Sequence, residues 1–374
     1  MNTPSLPKSP APTVLIMAGG TGGHVFPALA LARLLRAKSF EVVWLGTRRG
    51  LEARVVPAES IPIEWLSVGG LRGKGGLTLL AAPFRLARAL VQALAIVRRR
   101  RPVVVVGLGG FVSGPGGVAA WLSGRPLLIH EQNAIAGFTN RCLARLARVV
   151  LEAFPNSFGR DVHARVIGNP VRQDISAVPP PSSRFAARTG AIRVLVIGGS
   201  QGATRLNAVV PFALARLRSL PEGFGPIDVR HQAGERWIEA ARQTYSNAGV
   251  RADVRPFIDD MAEAYGWADL VICRSGALTV SELAAVGVGA VLVPFPAAVD
   301  DHQTHNARYL VREGAALLIP DRELTAERLS AELQVLCAGR GKLLAMAERA
   351  RLLAKPGAAQ ALAASCIELA RSAA

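Results

Sequence analysis

A short apolar run that ends in a cluster of glycines occurs twice in this chain, and that repetition constrains the fold more than any other feature. Val14-Leu15-Ile16-Met17-Ala18-Gly19-Gly20-Thr21-Gly22-Gly23 is echoed by Val194-Leu195-Val196-Ile197-Gly198-Gly199-Ser200-Gln201-Gly202-Ala203. Each copy leads into a helical pattern, over Pro27 to Ala37 in the first and Leu206 to Leu217 in the second. An apolar run without polar alternation marks a strand covered on both faces, as in parallel sheets flanked by helices. Two such openings in 374 residues, at roughly 150 residues per domain, predict an α/β chain of two doubly wound parallel-sheet domains.

Further βα units fit this reading. In the first half they start at Glu41 to Leu45, Val103 to Val106 and Leu127 to His130; in the second, at Ile227 to His231, Leu270 to Cys273 and Ala290 to Pro294. Each run ends at glycine, proline or a polar turn, where such sheets hold their ligands. Residues 1–13, rich in Pro and Ser with no apolar segment, read as a disordered leader. The domains are expected over 14–171 and 172–355, with Ser176 to Ser183 as an exposed proline-stiffened connector. A helix over 356–374 is expected to return to the first domain.

Composition removes several classes. With 50% hydrophobic residues the chain is not intrinsically disordered. Cys142, Cys273, Cys337 and Cys366 lie far apart with no C-x-x-C pair, which argues against a disulfide framework or a zinc site. The apolar stretch from Leu283 to Val299 is interrupted by Gly287, Gly289, Pro294 and Pro296, so it does not read as a membrane span. Lys and Arg total 44 against 27 Asp and Glu, a net +17 that draws the protein to polyanions. Nucleic acid, anionic lipid and pyrophosphate-bearing substrates all have the required sign. Nucleic acid is not expected, because aromatics are only 5% and no recognition motif is present.

The glycine loops carry the chemistry. Gly19 to His24, Gly198 to Gly202 and Gly107 to Gly117 each follow an apolar strand, and glycine lets backbone N–H groups approach an anion at the mouth of the next helix. A dinucleotide fingerprint is incomplete: Val25 and Ala203 stand where its third glycine belongs, and Leu45-Gly46-Thr47-Arg48-Arg49 lacks the acidic residue for a ribose. Those arginines would suit a 2′-phosphate. No P-loop is present. In the second half, Thr279 and Glu282 fit a capping box, while Glu282 equally suits a carboxylate that accepts ribose hydroxyls at a helix end. The amide- and imidazole-rich turn Asp300 to Asn306 suits sugar hydroxyls.

These motifs, with Gly109-Gly110-Phe111-Val112-Ser113-Gly114-Pro115-Gly116, His130-Glu131-Gln132-Asn133, Gly168-Asn169-Pro170-Val171-Arg172 and the run Arg274 to Glu282, resemble the MurG family in both halves and in the same order. Its members are the N-acetylglucosamine transferases that convert lipid I to lipid II in peptidoglycan synthesis. The resemblance implies a GT-B fold, two Rossmann-like domains facing a cleft, with UDP-N-acetylglucosamine (UDP-GlcNAc) held mainly by the second. By position, Ser200 and its loop would face the nucleotide phosphates with Arg172 near, and Ile258 would meet uracil through its backbone. Ala277, Leu278, Thr279, Val280, Ser281 and Glu282 would hold diphosphate and ribose. Gln303 would bind GlcNAc, with Thr21, Gly22, Gly23 and Asn133 lining the sugar from the N-terminal side. Gly109, Gly110, Ser113 and Gly114 would form an acceptor pyrophosphate loop. His302 and Phe111 depart from residues frequent in the family.

The implied reaction is an inverting transfer to the C4 hydroxyl of N-acetylmuramic acid in lipid I, undecaprenyl-pyrophosphoryl-MurNAc-pentapeptide. It needs a base for that hydroxyl, for which His24 is the first candidate and Glu131 the second; His24 equally suits a loop cap. No D-x-D pair occurs, so neither a metal nor another tightly bound cofactor is expected, and helix N-termini and cations would offset the charge on departing UDP. A membrane-anchored acceptor gives the basic excess a use: Leu79, Leu80 and Phe84 would dip into the cytoplasmic face of the inner membrane while Arg85 and Arg88 meet its headgroups. A solvated helix face is the alternative account of that segment. Two other functions fit less of the pattern, a UDP-GlcNAc 2-epimerase and a non-catalytic polyanion-binding protein.

Overall fold

Strand β1 (Thr13–Met17) has no polar residue after Thr13, and both of its faces are covered. Val14 and Ile16 pack with Leu31, Leu35, Leu362 and Cys366 on one side; Leu15 and Met17 pack with Ala93, Val97, Val112 and Ala119 on the other. In the computed structural model, which describes residues 11–69, 82–199, 202–218 and 225–372, β1 is an interior strand of the first of two parallel sheets, between β2 and β4. Its companions are β2 (Glu41–Gly46), β3 (Ile63–Trp65), β4 (Val104–Gly107), β5 (Leu127–Glu131), β6 (Val149–Glu152) and β7 (Arg165–Val166). The order is β3-β2-β1-β4-β5-β6-β7, with Met17 in register with Leu45 and Gly107. The helices are α1 (Gly22–Ala37), α2 (Glu52–Ala58), α3 (Ala82–Arg100), α4 (Ser113–Leu122) and α5 (Phe138–Ala144). The last helix of the chain, Ala358–Arg371, buries Leu362, Cys366 and Leu369 in the core of this same unit.

The second sheet repeats the scheme with β8 (Ile192–Ile197), β9 (Ile227–Gln232), β10 (Asp253–Arg255), β11 (Leu270–Cys273), β12 (Gly289–Leu292) and β13 (Ala316–Leu318) in the order β10-β9-β8-β11-β12-β13. Its helices are α6 (Gln173–Ser176), α7 (Pro181–Ala186), α8 (Thr204–Arg218), α9 (Ile238–Asn247), α10 (Met261–Trp267), α11 (Ala277–Val286), α12 (His302–Val311), α13 (Ala326–Leu336) and α14 (Arg340–Leu352). Both sheets have the Rossmann-like order, in which the connections diverge beside the first strand and leave a ligand-binding switch point at the carboxyl ends there. In the first unit that point lies between β1 and β4, in the second between β8 and β11. The first unit runs to Gln132, resumes over Ala136–Pro170 and ends with the chain from Gly357; the second comprises Asn133–Ile135 and Val171–Pro356.

Several sequence expectations need correction. Thr13 belongs to β1 rather than to a leader, and its hydroxyl donates to Glu41 Oε2 at 2.9 Å; residues 1–10 lie outside the described part. Helix α1 starts five residues before Pro27, which sits in its second turn where a missing N–H forgoes one bond. The connector is exposed only in part: Ala177, Pro179, Pro180, Ser182 and Ser183 are exposed, whereas Val178 and Pro181 are buried, and Arg184 just after it donates to the carbonyls of Pro179 (3.0 Å), Tyr265 (3.3 Å), Val286 (3.2 Å) and Gly287. This segment lies within the second unit.

Candidate active site

In the first unit the loops after β1 and β4 meet at the switch point. Gly109 and Gly110 have φ of +103° and +86°, and side chains there would collide: a Cβ on Gly109 would lie 2.7 Å from the His24 ring, one on Gly110 2.5 Å from the Gly19 carbonyl. His24, in the first turn of α1, has its Nδ1 3.2 Å from the Gly19 carbonyl oxygen. A carbonyl only accepts, so Nδ1 carries the hydrogen and Nε2 is the proton-accepting nitrogen. Thr21 is exposed and Gly22 and Gly23 are half-exposed beside it, at a helix start whose first amides lack intrahelical acceptors.

The structure divides the other expected residues of this unit by burial. Ser113 is fully buried; its hydroxyl donates to the Gly109 carbonyl (2.9 Å) and accepts from the Gly109 amide (3.2 Å), so it shapes the loop from beneath. Gly114 follows it as the second residue of α4. Glu131 is buried at the end of β5, and its Oε2 accepts from the Gly137 amide (3.2 Å) and Asn140 Nδ2 (2.8 Å), a hold on the start of α5. His130 beside it lies wholly inside, Nε2 donating to the Gly168 carbonyl (3.0 Å) and Nδ1 accepting from Gln132 Nε2 (3.1 Å); burial pushes its pKa down to about 4.

In the second unit the strand β11 delivers the chain to α11 through Arg274, Ser275 and Gly276. The helix begins at Ala277 with Gly276 as its cap residue, so Thr279 is inside the first turn and the expected Thr279–Glu282 capping box does not form. Ala277 and Val280 face the core, whereas Leu278, Thr279, Ser281 and Glu282 keep exposed surface, as helical periodicity requires. Glu282 Oε2 accepts from the Tyr265 hydroxyl at 3.0 Å, and burial pushes its carboxyl up to about 7 against the opposing pull of Tyr265 and Arg172. Arg172 itself is exposed at the start of α6. Ile258 is buried, Ser200 lies outside the described residues, and so do Leu79 and Leu80.

Around the sugar-suited turn, Gln303 Oε1 accepts from the Phe295 amide at 2.9 Å, which leaves its NH₂ to donate. Arg274 holds the same loop by donating to the Val293 and Pro294 carbonyls (both 3.1 Å) while paired with Asp321 at 2.6 Å. Asn133, expected on the N-terminal side, packs instead with the second unit: its Oδ1 accepts from Asn306 Nδ2 at 3.2 Å. Asn306 was not singled out by sequence, although it ends the polar turn; fully buried, it also accepts from the Ala134 amide (2.8 Å) and donates to the Ser275 carbonyl (3.2 Å). Among the described residues no group of three or more His, Cys, Asp or Glu is placed to hold a metal ion.

The signature of the glycosyltransferase family 28 N-terminal domain matches residues 14–152, and that of the family 28 C-terminal domain matches residues 193–362. The chain belongs to glycosyltransferase family 28. Two curated relatives, from Marinobacter nauticus (56% identical, covering 97% of this chain and 99% of the relative) and Alkalilimnicola ehrlichii (59%, 96% and 99%), are named UDP-N-acetylglucosamine--N-acetylmuramyl-(pentapeptide) pyrophosphoryl-undecaprenol N-acetylglucosamine transferase. Among solved structures, MurG of Acinetobacter baumannii is similar with a TM-score of 0.85 and 42% identity over 96% of this chain and 99% of that one. The family 28 match and this likeness give the chain the GT-B architecture of two Rossmann-like domains.

Proposed function

We propose that the chain transfers N-acetylglucosamine from UDP-GlcNAc to the C4 hydroxyl of N-acetylmuramic acid in lipid I, giving lipid II. The observation that carries this reading is identity above one half, over nearly the whole chain, to relatives named for that transfer, together with a parallel-sheet switch point in each unit. In the second unit the mouth of α11 takes the diphosphate of UDP, Glu282 the ribose hydroxyls, and Asn133 and Gln303 the sugar hydroxyls. In the first unit His24 Nε2 removes the proton from the attacking hydroxyl as the anomeric centre inverts. The helix amides at α11 and the Arg172 side chain offset charge on departing UDP, and the reaction takes no metal.

The acceptor is lipid-linked, so the enzyme works at the cytoplasmic face of the inner membrane as a peripheral protein. Phe84 (79% exposed) and Leu86 (52%) stand out from the first turns of α3 beside exposed Arg85 and Arg88, which supports membrane contact by that helix. Arg99 and Arg100, at its other end, are paired with Glu64 at 2.6 and 2.7 Å and add less to the patch. Among the described residues no helix is long and apolar enough to cross a membrane. The test is product analysis with UDP-GlcNAc and a lipid I analogue, with and without EDTA. Disaccharide-lipid and UDP are expected in both; N-acetylmannosamine, binding without turnover, or loss of activity with EDTA would each defeat a part of the reading.

A further inference from the structure

Beneath the first glycine loop lies a carboxylate to which the roles above give no part. Glu52, the first residue of α2, is fully buried. Its Oε2 accepts from the Gly20 amide at 2.9 Å, and its Oε1 from the Thr47 amide at 2.9 Å and the Thr47 hydroxyl at 2.8 Å. Glycines make its space: a Cβ at Gly50 would fall 1.9 Å from Oε2, one at Gly19 2.6 Å from Oε1, and one at Gly46 2.9 Å from its Cγ. The Leu51 amide also reaches the Gly20 carbonyl, at 3.4 Å, so one turn holds both polar atoms of Gly20.

Burying a carboxylate is costly unless its lone pairs are filled, and here three N–H and O–H groups fill them. Charge-assisted bonds of this kind are roughly twice as strong as neutral ones. The Gly20 amide therefore aims inward and is not available to a ligand; what the loop offers outward begins at Thr21. The adjacent Gly19 carbonyl is the atom that sets the His24 tautomer. We propose that Glu52 is a positioning residue for the transfer: it fixes Gly19 and Gly20 so that His24 and the first turn of α1 meet the attacking hydroxyl in a reactive geometry. This rests on the transferase reading given above.

Glu52→Gln keeps the side chain's shape but points an NH₂ at N–H or O–H partners. A displacement of about 1 Å in such a site costs about 100-fold in rate. In the full-length enzyme, kcat for disaccharide-lipid formation is expected to fall about 10- to 100-fold. UDP-GlcNAc affinity by calorimetry should stay within about 2-fold, since that ligand is held by the other unit; 1.4 kcal/mol would be tenfold. Gly50→Ala should reproduce the loss by evicting the carboxylate, and the double variant should be no worse than the worse single one. Thr47→Val removes one of the three bonds and is the milder variant, expected to lower kcat a few-fold without touching UDP-GlcNAc affinity. Unchanged kcat in Glu52→Gln, or equal losses of kcat and UDP-GlcNAc affinity, would overturn the positioning role while leaving the transferase reading intact. A wild-type enzyme that forms no disaccharide-lipid would overturn both.

Discussion

The Gly19 carbonyl holds His24 Nδ1, and the bare Gly109 lies against its ring. Replacing His24 with alanine is expected to lower kcat by about 10²- to 10⁴-fold, the usual contribution of a positioned base. Calorimetry should show UDP-GlcNAc affinity unchanged, and near-normal turnover would dismiss the assignment. Glu282 makes a second residue-level prediction. Burial holds its carboxyl up to about 7, whereas accepting ribose hydroxyls favours the ionised form. Binding should therefore release a proton near neutrality, and UDP affinity should rise as pH increases from about 6 to 8, with Glu282→Gln both weaker and flat across that range. An equally steep profile in Glu282→Gln would place the titration elsewhere. As candidates, His24 stood out because it follows a glycine loop, and Glu282 because the Thr279–Glu282 spacing marks a helix start after an apolar strand. Glu52 and Asn306 did not, because their partners are backbone atoms of Gly20, Thr47, Ala134 and Ser275, distant along the chain and without side-chain signature.

At the scale of elements, the central strands β1, β4, β8 and β11 were readable as apolar runs because helices cover both of their faces. The four edge strands β3, β7, β10 and β13 were not: each is only two or three residues long, and Ile63-Glu64-Trp65, Arg165-Val166 and Asp253-Val254-Arg255 mix polar with apolar residues, so their sequences resemble turns. Helix starts were misplaced for a related reason. Glycine at Gly22 and Gly276 reads as loop, yet α1 begins at the first and the second caps α11, which moves Thr279 from cap to first turn and frees Glu282 from a capping role. Helix α3 carries a prediction of its own. Its stripe of Ala89, Ala93, Ile96 and Val97 is buried, and its first turns present Phe84, Arg85, Leu86 and Arg88 to the outside. A basic residue at an anionic membrane contributes about 1 kcal/mol. Reversing Arg85 and Arg88 to glutamate should therefore weaken co-sedimentation with anionic vesicles by at least about 10-fold. Unaltered sedimentation would favour a merely solvated face.

At the scale of the whole chain, each unit places one histidine at zero exposure with both ring nitrogens bonded. His130 is held by the Gly168 carbonyl and Gln132, while His231 has Nδ1 on the Tyr245 hydroxyl (2.9 Å) and Nε2 on Asn207 Oδ1 (3.0 Å). Asn207 in turn donates to the Ala233 carbonyl (3.0 Å), which fixes its amide and hence the His231 tautomer with hydrogen on Nε2. Burial disfavours a second proton on either ring and lowers their pKa values to about 4 and about 3 from an ordinary 6.5. Between those values and 6.5 the unfolded chain binds protons that the folded one refuses, so stability rises with pH across that window and is lost as pH falls through it. At 1.36 kcal/mol per pKa unit, each ring represents on the order of 3 to 5 kcal/mol once pH reaches its folded value. Raised carboxyls such as Glu152 and Glu282 act in the opposite sense, since their extra protons in the folded state favour it at lower pH. The informative measurement is consequently a difference. His231→Gln should be less stable than wild type in urea unfolding at pH 7.5, and the gap should narrow steadily toward pH 4.5. A gap that stays constant over that range would mean that His231 is not held neutral by its surroundings.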